Sequence, residues 1–121
     1  MRALAYYILD ADRRVVPARD VIEWGAWFEN LANRRVAATH FECGVFVSTI
    51  FLGIDHRFDD SGPPLVFETM TFELSMDGGD DFQFRYSSWD DAVAGHAGVV
   101  RRVKAQLAKA GLSTSEIEAT A

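Results

Sequence analysis

The stretch VFVSTIFLG, residues 45–53, indicates a strand at the centre of the fold. Its β-branched and aromatic side chains are stiff or bulky and fit a pleated surface, which is typical of a β-strand. A second such run, PLVFETMTFEL, covers residues 64–74, and Gly62-Pro63-Pro64 punctuates the connection between the two. We therefore expect these strands to pair at the centre of an antiparallel sheet.

Further strand-like runs lie on both sides of this central pair. They are residues 3–9, 15–16, 35–42 and 82–87. Turn signals separate the neighbouring runs, with Cys43-Gly44 before the central pair and Asp77-Gly78-Gly79 after it. Because short connections favour pairing between consecutive strands, the pattern predicts an antiparallel β-meander of four to six strands.

Two amphipathic helices are predicted, over about residues 20–33 and 89–110. Asp20 with Glu23, and Ser88 with Asp91, form capping patterns at their starts. Apolar residues then recur every three or four positions. The two stripes are Val21, Trp24, Phe28 and Leu31, and Val93, His96, Val100, Val103 and Leu107. The sequence therefore predicts an α+β fold in which two helices pack on the sheet.

Length and composition place this chain among small cytoplasmic proteins. Its 121 residues suit a single domain over 1–111, and the small, polar residues 112–121 predict a frayed or disordered tail. The chain lacks an apolar run long enough to cross a membrane, and its start lacks the apolar core of a signal peptide. A single cysteine, Cys43, fits a reducing compartment. We expect a cytoplasmic location and no membrane partner.

The charge of the chain argues against direct nucleic-acid binding. Eighteen acidic and twelve basic residues give a formal net charge of −6, whereas phosphate-backbone binders carry a basic stripe. The nearest equivalent is Arg101, Arg102 and Lys104, which belong to the polar side of the second predicted helix. An acidic chain is compatible with a partner that has a basic surface.

Glu68 stands out within the central pair of strands. The expected register pairs Val47 with Met70, Thr49 with Glu68, and Phe51 with Val66. A carboxylate on an otherwise apolar face is costly unless it is paired or protonated. His96 and His56 are its candidate partners, so Glu68 with a histidine and Thr49 is a candidate for acid/base catalysis. A structural hydrogen bond or ion pair is the alternative that the pattern favours.

Both faces of the expected sheet carry apolar residues, so both should be at least partly covered. Two helices can cover one face. The N-terminal strands or a second copy of the chain would have to cover the rest, which makes a homodimer one expected assembly.

Charged residues concentrate in the loop that follows the first central strand. The candidate binding residues there are Asp55, His56, Arg57, Asp59 and Asp60. A second acidic group, Asp77, Asp80 and Asp81, should lie at the opposite end of a meander, so we expect neither a metal site nor a cofactor. Phosphate-loop, dinucleotide, zinc-protease and serine-hydrolase motifs are absent from the sequence. The loop is therefore interpreted as an exposed, partner-facing turn.

Several strings resemble a group of small, uncharacterised proteins encoded by tailed phages and prophages. They are EWGAWFEN, VSTIFLGIDHRF, GPPLVFETM and YSSWDDAVAGH. The resemblance covers roughly residues 6–103, whereas the stretch from Glu73 to Asp81 and the tail after Leu107 depart from it. It carries over no catalytic residue. It implies an accessory protein that works in a bacterial cytoplasm during phage infection or lysogeny and acts by binding.

Three functions follow from these observations. The leading one is a non-enzymatic protein that binds a host or phage protein and inhibits a host defence complex, as anti-CRISPR-type proteins do. The second is a nucleotide or small-ligand sponge, in which Arg57, Arg85, His56 and Trp89 contact phosphate and base. The third is a small hydrolase that uses Glu68 with His56 or His96. A phage structural or assembly role is a further alternative.

Overall fold

The computed structural model describes residues 5–55, 62–74 and 81–117. Its elements are β1 (Tyr7–Leu9), β2 (Val15–Pro17), α1 (Val21–Phe28), α2 (Leu31–Arg34), β3 (Arg35–Phe41), β4 (Phe46–Phe51), β5 (Phe67–Phe72), β6 (Gln83–Tyr86), α3 (Trp89–Lys109) and β7 (Glu116–Ile117). A five-stranded antiparallel sheet has the order β6-β5-β4-β3-β7, and β1 pairs with β2 in a second, two-stranded sheet. The predicted α+β fold with an antiparallel meander is confirmed.

The first predicted helix is in fact two helices. Asn30 has an extended backbone (φ −77°, ψ 106°), and its side chain accepts a hydrogen bond from the Ala32 N–H. Because an N-cap residue cannot sit inside a helix, the prediction of one helix over 20–33 was wrong at this residue. In the part of the chain that the structure describes, none of the helices combines the length and apolar character needed to cross a membrane.

α3 covers one face of the five-stranded sheet, which we call the covered face. Its buried residues are Ala92, His96, Val99, Val103 and Leu107. The apolar ones pack with Phe41, Val47, Phe51 and Phe67 of the sheet and with the neighbouring Val45 and Leu74. Residues of β1, β2 and α1 close one end of this core. The predicted stripe of this helix was wrong at Val93, which is 46% exposed.

The register of β4 and β5 differs by one residue from the expected one. Thr49 pairs with Thr69, Ile50 with Glu68, and Phe51 with Phe67. A one-residue slip moves every side chain of a strand to the other face. Phe67, Thr69 and Thr71 therefore face the core, whereas Glu68, Met70 and Phe72 lie on the opposite side. This register buries the Phe51 and Phe67 rings in edge-to-face contact, with 5.1 Å between centroids.

Part of the predicted tail belongs to the sheet. β7 pairs with the end of β3, and Lys104 of α3 forms an ion pair with Glu116 at 2.8 Å. For residues 112–117 the expectation of a frayed tail is therefore wrong, and the sheet extends beyond residue 111. Residues 118–121 lie outside the described part of the chain.

Candidate functional site

The sheet places the predicted catalytic residues on opposite faces. Thr49 of β4 and His96 of α3 meet in the core between the helix and the sheet, and Glu68 lies on the other side of the sheet. The expected neighbours Thr49 and Glu68 are separated because of the one-residue difference in register. The hypothesis that pairs Glu68 with His96 is therefore wrong.

His96 lies at the centre of a hydroxyl network on the covered face. Its Nε2 atom is 2.9 Å from the Thr39 hydroxyl, and its Nδ1 atom is 2.8 Å from the Thr49 hydroxyl. The Thr49 hydroxyl also shares a hydrogen bond with that of Thr69 across the strand pair. A neutral imidazole fits these partners, since one ring nitrogen donates and the other accepts. The network ties three strands to α3.

The surroundings of His96 oppose its protonation. Burial lowers the pKa of His96, and the nearby Glu116 carboxylate acts in the opposite direction by raising it. The side chain is only 7% exposed. A general base must reach the proton that it removes, so this histidine is placed to hold the sheet and helix together.

His96 should make stability depend on pH. In the unfolded chain its pKa is about 6.5, and in the folded chain it is lower, so acid favours the unfolded state. Stability supplied by the neutral ring is complete above about pH 6.5 and is lost as the pH falls toward the folded-state pKa.

We expect the free energy of unfolding to fall between pH 7 and 5 more steeply in the wild type than in His96→Gln. The difference in slope can reach at most about 1.4 kcal/mol per pH unit for one proton. Urea denaturation at a series of pH values measures it. Parallel profiles for the two proteins would contradict the assignment of a buried, neutral histidine.

Glu68 is held by two side chains of the neighbouring strand. Its Oε2 atom accepts from Arg85 Nε at 3.0 Å and from Gln83 Nε2 at 2.9 Å. Arg85 is directly opposite Glu68 in the register of β5 and β6, and the carboxylate is 8% exposed. Cross-strand pairs of opposite charge stabilise a sheet. The structural ion pair that the sequence favoured is therefore the geometry found.

The other side of the sheet carries apolar side chains that stay partly exposed, and we call it the open face. It consists of His40, Phe46, Ser48, Ile50, Glu68, Met70 and Phe72 with the flanking Arg85. The rings of His40, Phe46 and Phe72 stack across three strands, with centroids 5.1 and 4.5 Å apart and planes 11° apart. Phe72 is 36% exposed. A hollow of about 40 Å³ lies beside Phe72, between Ile50 and Met70.

Sequence reasoning missed the open face as a continuous surface. The expected register assigned Met70 and Phe72 of β5 to the core face and Thr69 and Thr71 to the opposite face. The structure shows the reverse. The signal that could have found it is a threonine near the middle of each central strand. Thr49 on one strand has Thr69 as its equivalent on the other, and pairing hydroxyl with hydroxyl fixes the register.

Most of the predicted binding loop lies outside the described residues. This applies to His56, Arg57, Asp59 and Asp60. The Asp55 carboxylate accepts a hydrogen bond from the Leu65 N–H at 2.8 Å, which links the two ends of the loop.

Metal coordination finds no support in the described ranges 5–55, 62–74 and 81–117. Within them, the side chains of His, Cys, Asp and Glu form no group of three or more that is arranged to hold an ion. Asp77 and Asp80 of the second acidic group lie outside these ranges. Asp81 is described, and its carboxylate accepts from the Thr71 hydroxyl at 3.3 Å.

A cleft of about 490 Å³ lies on the helix side of the sheet. It opens between the β1–β2 turn and the start of α3, and its lining includes Tyr7, Asp12, Arg13, Arg14, Trp89 and Asp90. Trp89 was predicted as a binding residue, and it lines this cleft. Arg85, its predicted partner in nucleotide binding, lies on the open face with Glu68 instead.

Comparison of the chain with protein-family models, with curated proteins and with solved structures finds no match. The resemblance to phage and prophage proteins therefore stays a prediction. Within the described ranges, a function can be argued from the open face and from the cleft.

Proposed function

We propose that this protein acts by binding a protein partner through the open face, as a phage or prophage accessory protein that inhibits a host defence complex in the bacterial cytoplasm. The observation that carries this proposal is the stack of His40, Phe46 and Phe72 on a sheet face that stays partly exposed. The defence-related context rests on the sequence resemblance.

The composition of the open face supports a protein partner. An antiparallel sheet that faces water usually carries polar side chains on that side. Here the centre is aromatic and aliphatic, and the rim carries the arginine of the Glu68–Arg85 pair. Aromatic residues, methionine and arginine are enriched in the cores of protein interfaces.

Size and charge favour a different protein over a second copy. Strands about 4.8 Å apart and about six residues long give the face an area of roughly 400 Å², about half of the share of one partner in a standard interface. A second copy stacked flat on this face would bury little more than this area of each chain. Both copies carry the same net charge of −6, so they repel each other. A basic partner that also extends over the rim gains area and favourable attraction.

The hydrolase alternative loses its main geometric argument. Glu68 is paired with Arg85 and Gln83 on the open face, while His96 is enclosed with threonines on the covered face. The arrangement of Glu68 with His56 lies outside the described residues. Binding is therefore the function that the geometry favours.

The test compares the wild type with Phe46→Ser/Phe72→Ser. The tagged proteins are expressed in a bacterial host, and any captured complex is rebuilt from purified components before its affinity is measured. We expect the open-face variant to bind at least about tenfold more weakly, since buried aromatic anchors dominate interface energies. Inhibition of the purified host complex should weaken in parallel.

Ile22→Ser/Val93→Ser is the matched control. Both residues are large, apolar and exposed, at 79% and 46%, and neither belongs to the open face. This control should bind as the wild type does. Equal losses in both variants would contradict a specific role for the open face. Light scattering that gives a dimer for the wild type and a monomer for the open-face variant would assign the face to a second copy and overturn the proposal.

A further inference from the structure

Arg13 is held in a left-handed backbone conformation at the tip of the β1–β2 hairpin. Its φ of +63° lies in a region that glycine enters freely and that residues with a Cβ adopt at a cost. The turn is closed by the Arg13 N–H, which donates to the Asp10 carbonyl at 3.0 Å. The Asp10 carboxylate also accepts from the N–H groups of Asp12 and Arg14 at 2.8 and 2.9 Å. Strained residues of this kind cluster at functional sites.

The turn places the Arg13 side chain over an aromatic ring. Its guanidinium carbon lies 4.4 Å from the centroid of the Trp89 ring. Trp89 is in turn fixed by an edge-to-face contact with the buried Phe67, with 6.4 Å between centroids. Stacking engages the flat face of a guanidinium, so the N–H donors at its edge stay suited to an oxyanion.

The lining of the cleft supplies three kinds of chemistry side by side. Arg13 and Arg14 offer positive charge, Trp89 offers an aromatic ring that Arg13 covers on one face, and the carboxylates of Asp12 and Asp90 can accept hydrogen bonds. Its volume of about 490 Å³ lies within the range of small-molecule sites, roughly 300–1,000 Å³. A ligand that satisfies all three kinds combines an anionic group, a planar ring and hydroxyl groups.

We propose that the cleft between the β1–β2 turn and α3 binds a nucleotide. The phosphates lie against Arg13 and Arg14, the base packs beside Trp89, and the sugar hydroxyls donate to Asp12 or Asp90. Because Asp12 and Asp90 repel a phosphate, its binding depends on the positive charges of Arg13 and Arg14. This site lies on the helix side of the sheet and is independent of the open face.

Isothermal titration calorimetry of the full chain tests the proposal with ATP, AMP and the ring-free anion tripolyphosphate. ATP should bind the wild type, and tripolyphosphate should bind at least about tenfold more weakly because it offers nothing to the tryptophan or the carboxylates. Arg13→Gly should weaken ATP binding by about tenfold or more, since it removes one charged hydrogen-bond partner. Arg14→Gln, a change at an exposed residue, should weaken it as well.

Glu73→Gly is the matched control for the backbone. Glu73 also has a left-handed conformation, with φ +69°, and lies outside the lining of the cleft. Both glycine variants relieve the same kind of strain, so neither should melt more than about 2 °C below the wild type. ATP affinity should fall in Arg13→Gly and stay unchanged in Glu73→Gly.

Three results would overturn the nucleotide site. The first is a wild type that binds none of the nucleotides. The second is tripolyphosphate binding as tight as ATP binding, which would leave an anion site without base recognition. The third is undiminished ATP binding in both Arg13→Gly and Arg14→Gln, which would place the ligand elsewhere.

Discussion

Phe67→Ala is expected to lower the free energy of unfolding by about 3–5 kcal/mol, the usual cost of deleting a buried phenylalanine. Phe67 is fully buried and contacts the rings of Phe51 and Trp89. The loss combines the hydrophobic stabilisation that the buried ring supplied with the cost of a cavity that the close-packed core cannot fill. Urea denaturation followed by circular dichroism measures it.

Phe72→Ala is the matched control, on the same strand and of the same residue type. Because Phe72 points to the open face and keeps 36% of its surface exposed, its removal should cost about 1 kcal/mol or less. This comparison tests the register directly, since a one-residue slip exchanges the two environments. A larger loss in Phe72→Ala than in Phe67→Ala would show that the open face is the core.

Gly53→Ala is expected to destabilise the protein by about 2–5 kcal/mol, from two additive causes. Gly53 has a positive φ of +76°, and a Cβ added there would lie 2.5 Å from Trp24 Nε1 and 3.2 Å from the Tyr7 carbonyl oxygen. The Gly53 carbonyl also accepts from the Tyr7 N–H at 2.7 Å. The substitution should therefore separate α1 and β1 from the end of β4.

Gly44→Ala separates the two causes. Gly44 also has a positive φ, +99°, but an added Cβ would meet nothing within 4 Å. Gly44→Ala should lower the free energy of unfolding only by the cost of a left-handed backbone at alanine, about 1–2 kcal/mol. Thermal or urea denaturation of both variants gives the steric contribution by difference. Equal costs at the two positions would contradict the close approach of Trp24 to Gly53.

Much of the fold could be predicted because its signals are local. The Ser88 side chain caps α3 as the sequence indicated, accepting from the Asp91 N–H at 3.1 Å. The four strands of the meander also follow from β-branched and aromatic runs bounded by turn residues. Each of these signals depends on residues within a few positions of one another.

The features that were missed depend on distant partners. The register of β4 and β5 is fixed partly by hydroxyl contacts among Thr49, Thr69 and His96, and nothing local to either strand reveals them. Likewise, β7 has only two residues, Glu116 and Ile117, and both are exposed. It forms a strand because the edge of β3 is available to it.

The candidate site was predictable in part. Glu68 was identified from its place in an apolar run, and its burial was expected, but its partner Arg85 comes from a strand whose register the sequence left open. The sequence predicts Trp89 as a binding residue, and this residue lines the cleft. Arg13 was not named, since its role depends on a backbone conformation that the letters Asp-Ala-Asp-Arg do not reveal.

The placement of α3 after the meander has a consequence for protein synthesis. While a nascent chain has emerged from the ribosome only as far as β6, the helix that seals Val47 and the threonines of the covered face does not yet exist. Both sides of the early sheet are then accessible, and such intermediates are prone to aggregation. The hydrophobic interior is complete only after the residues up to Leu107 have been synthesised, so chaperones that hold unfinished chains can bind the exposed sheet until then.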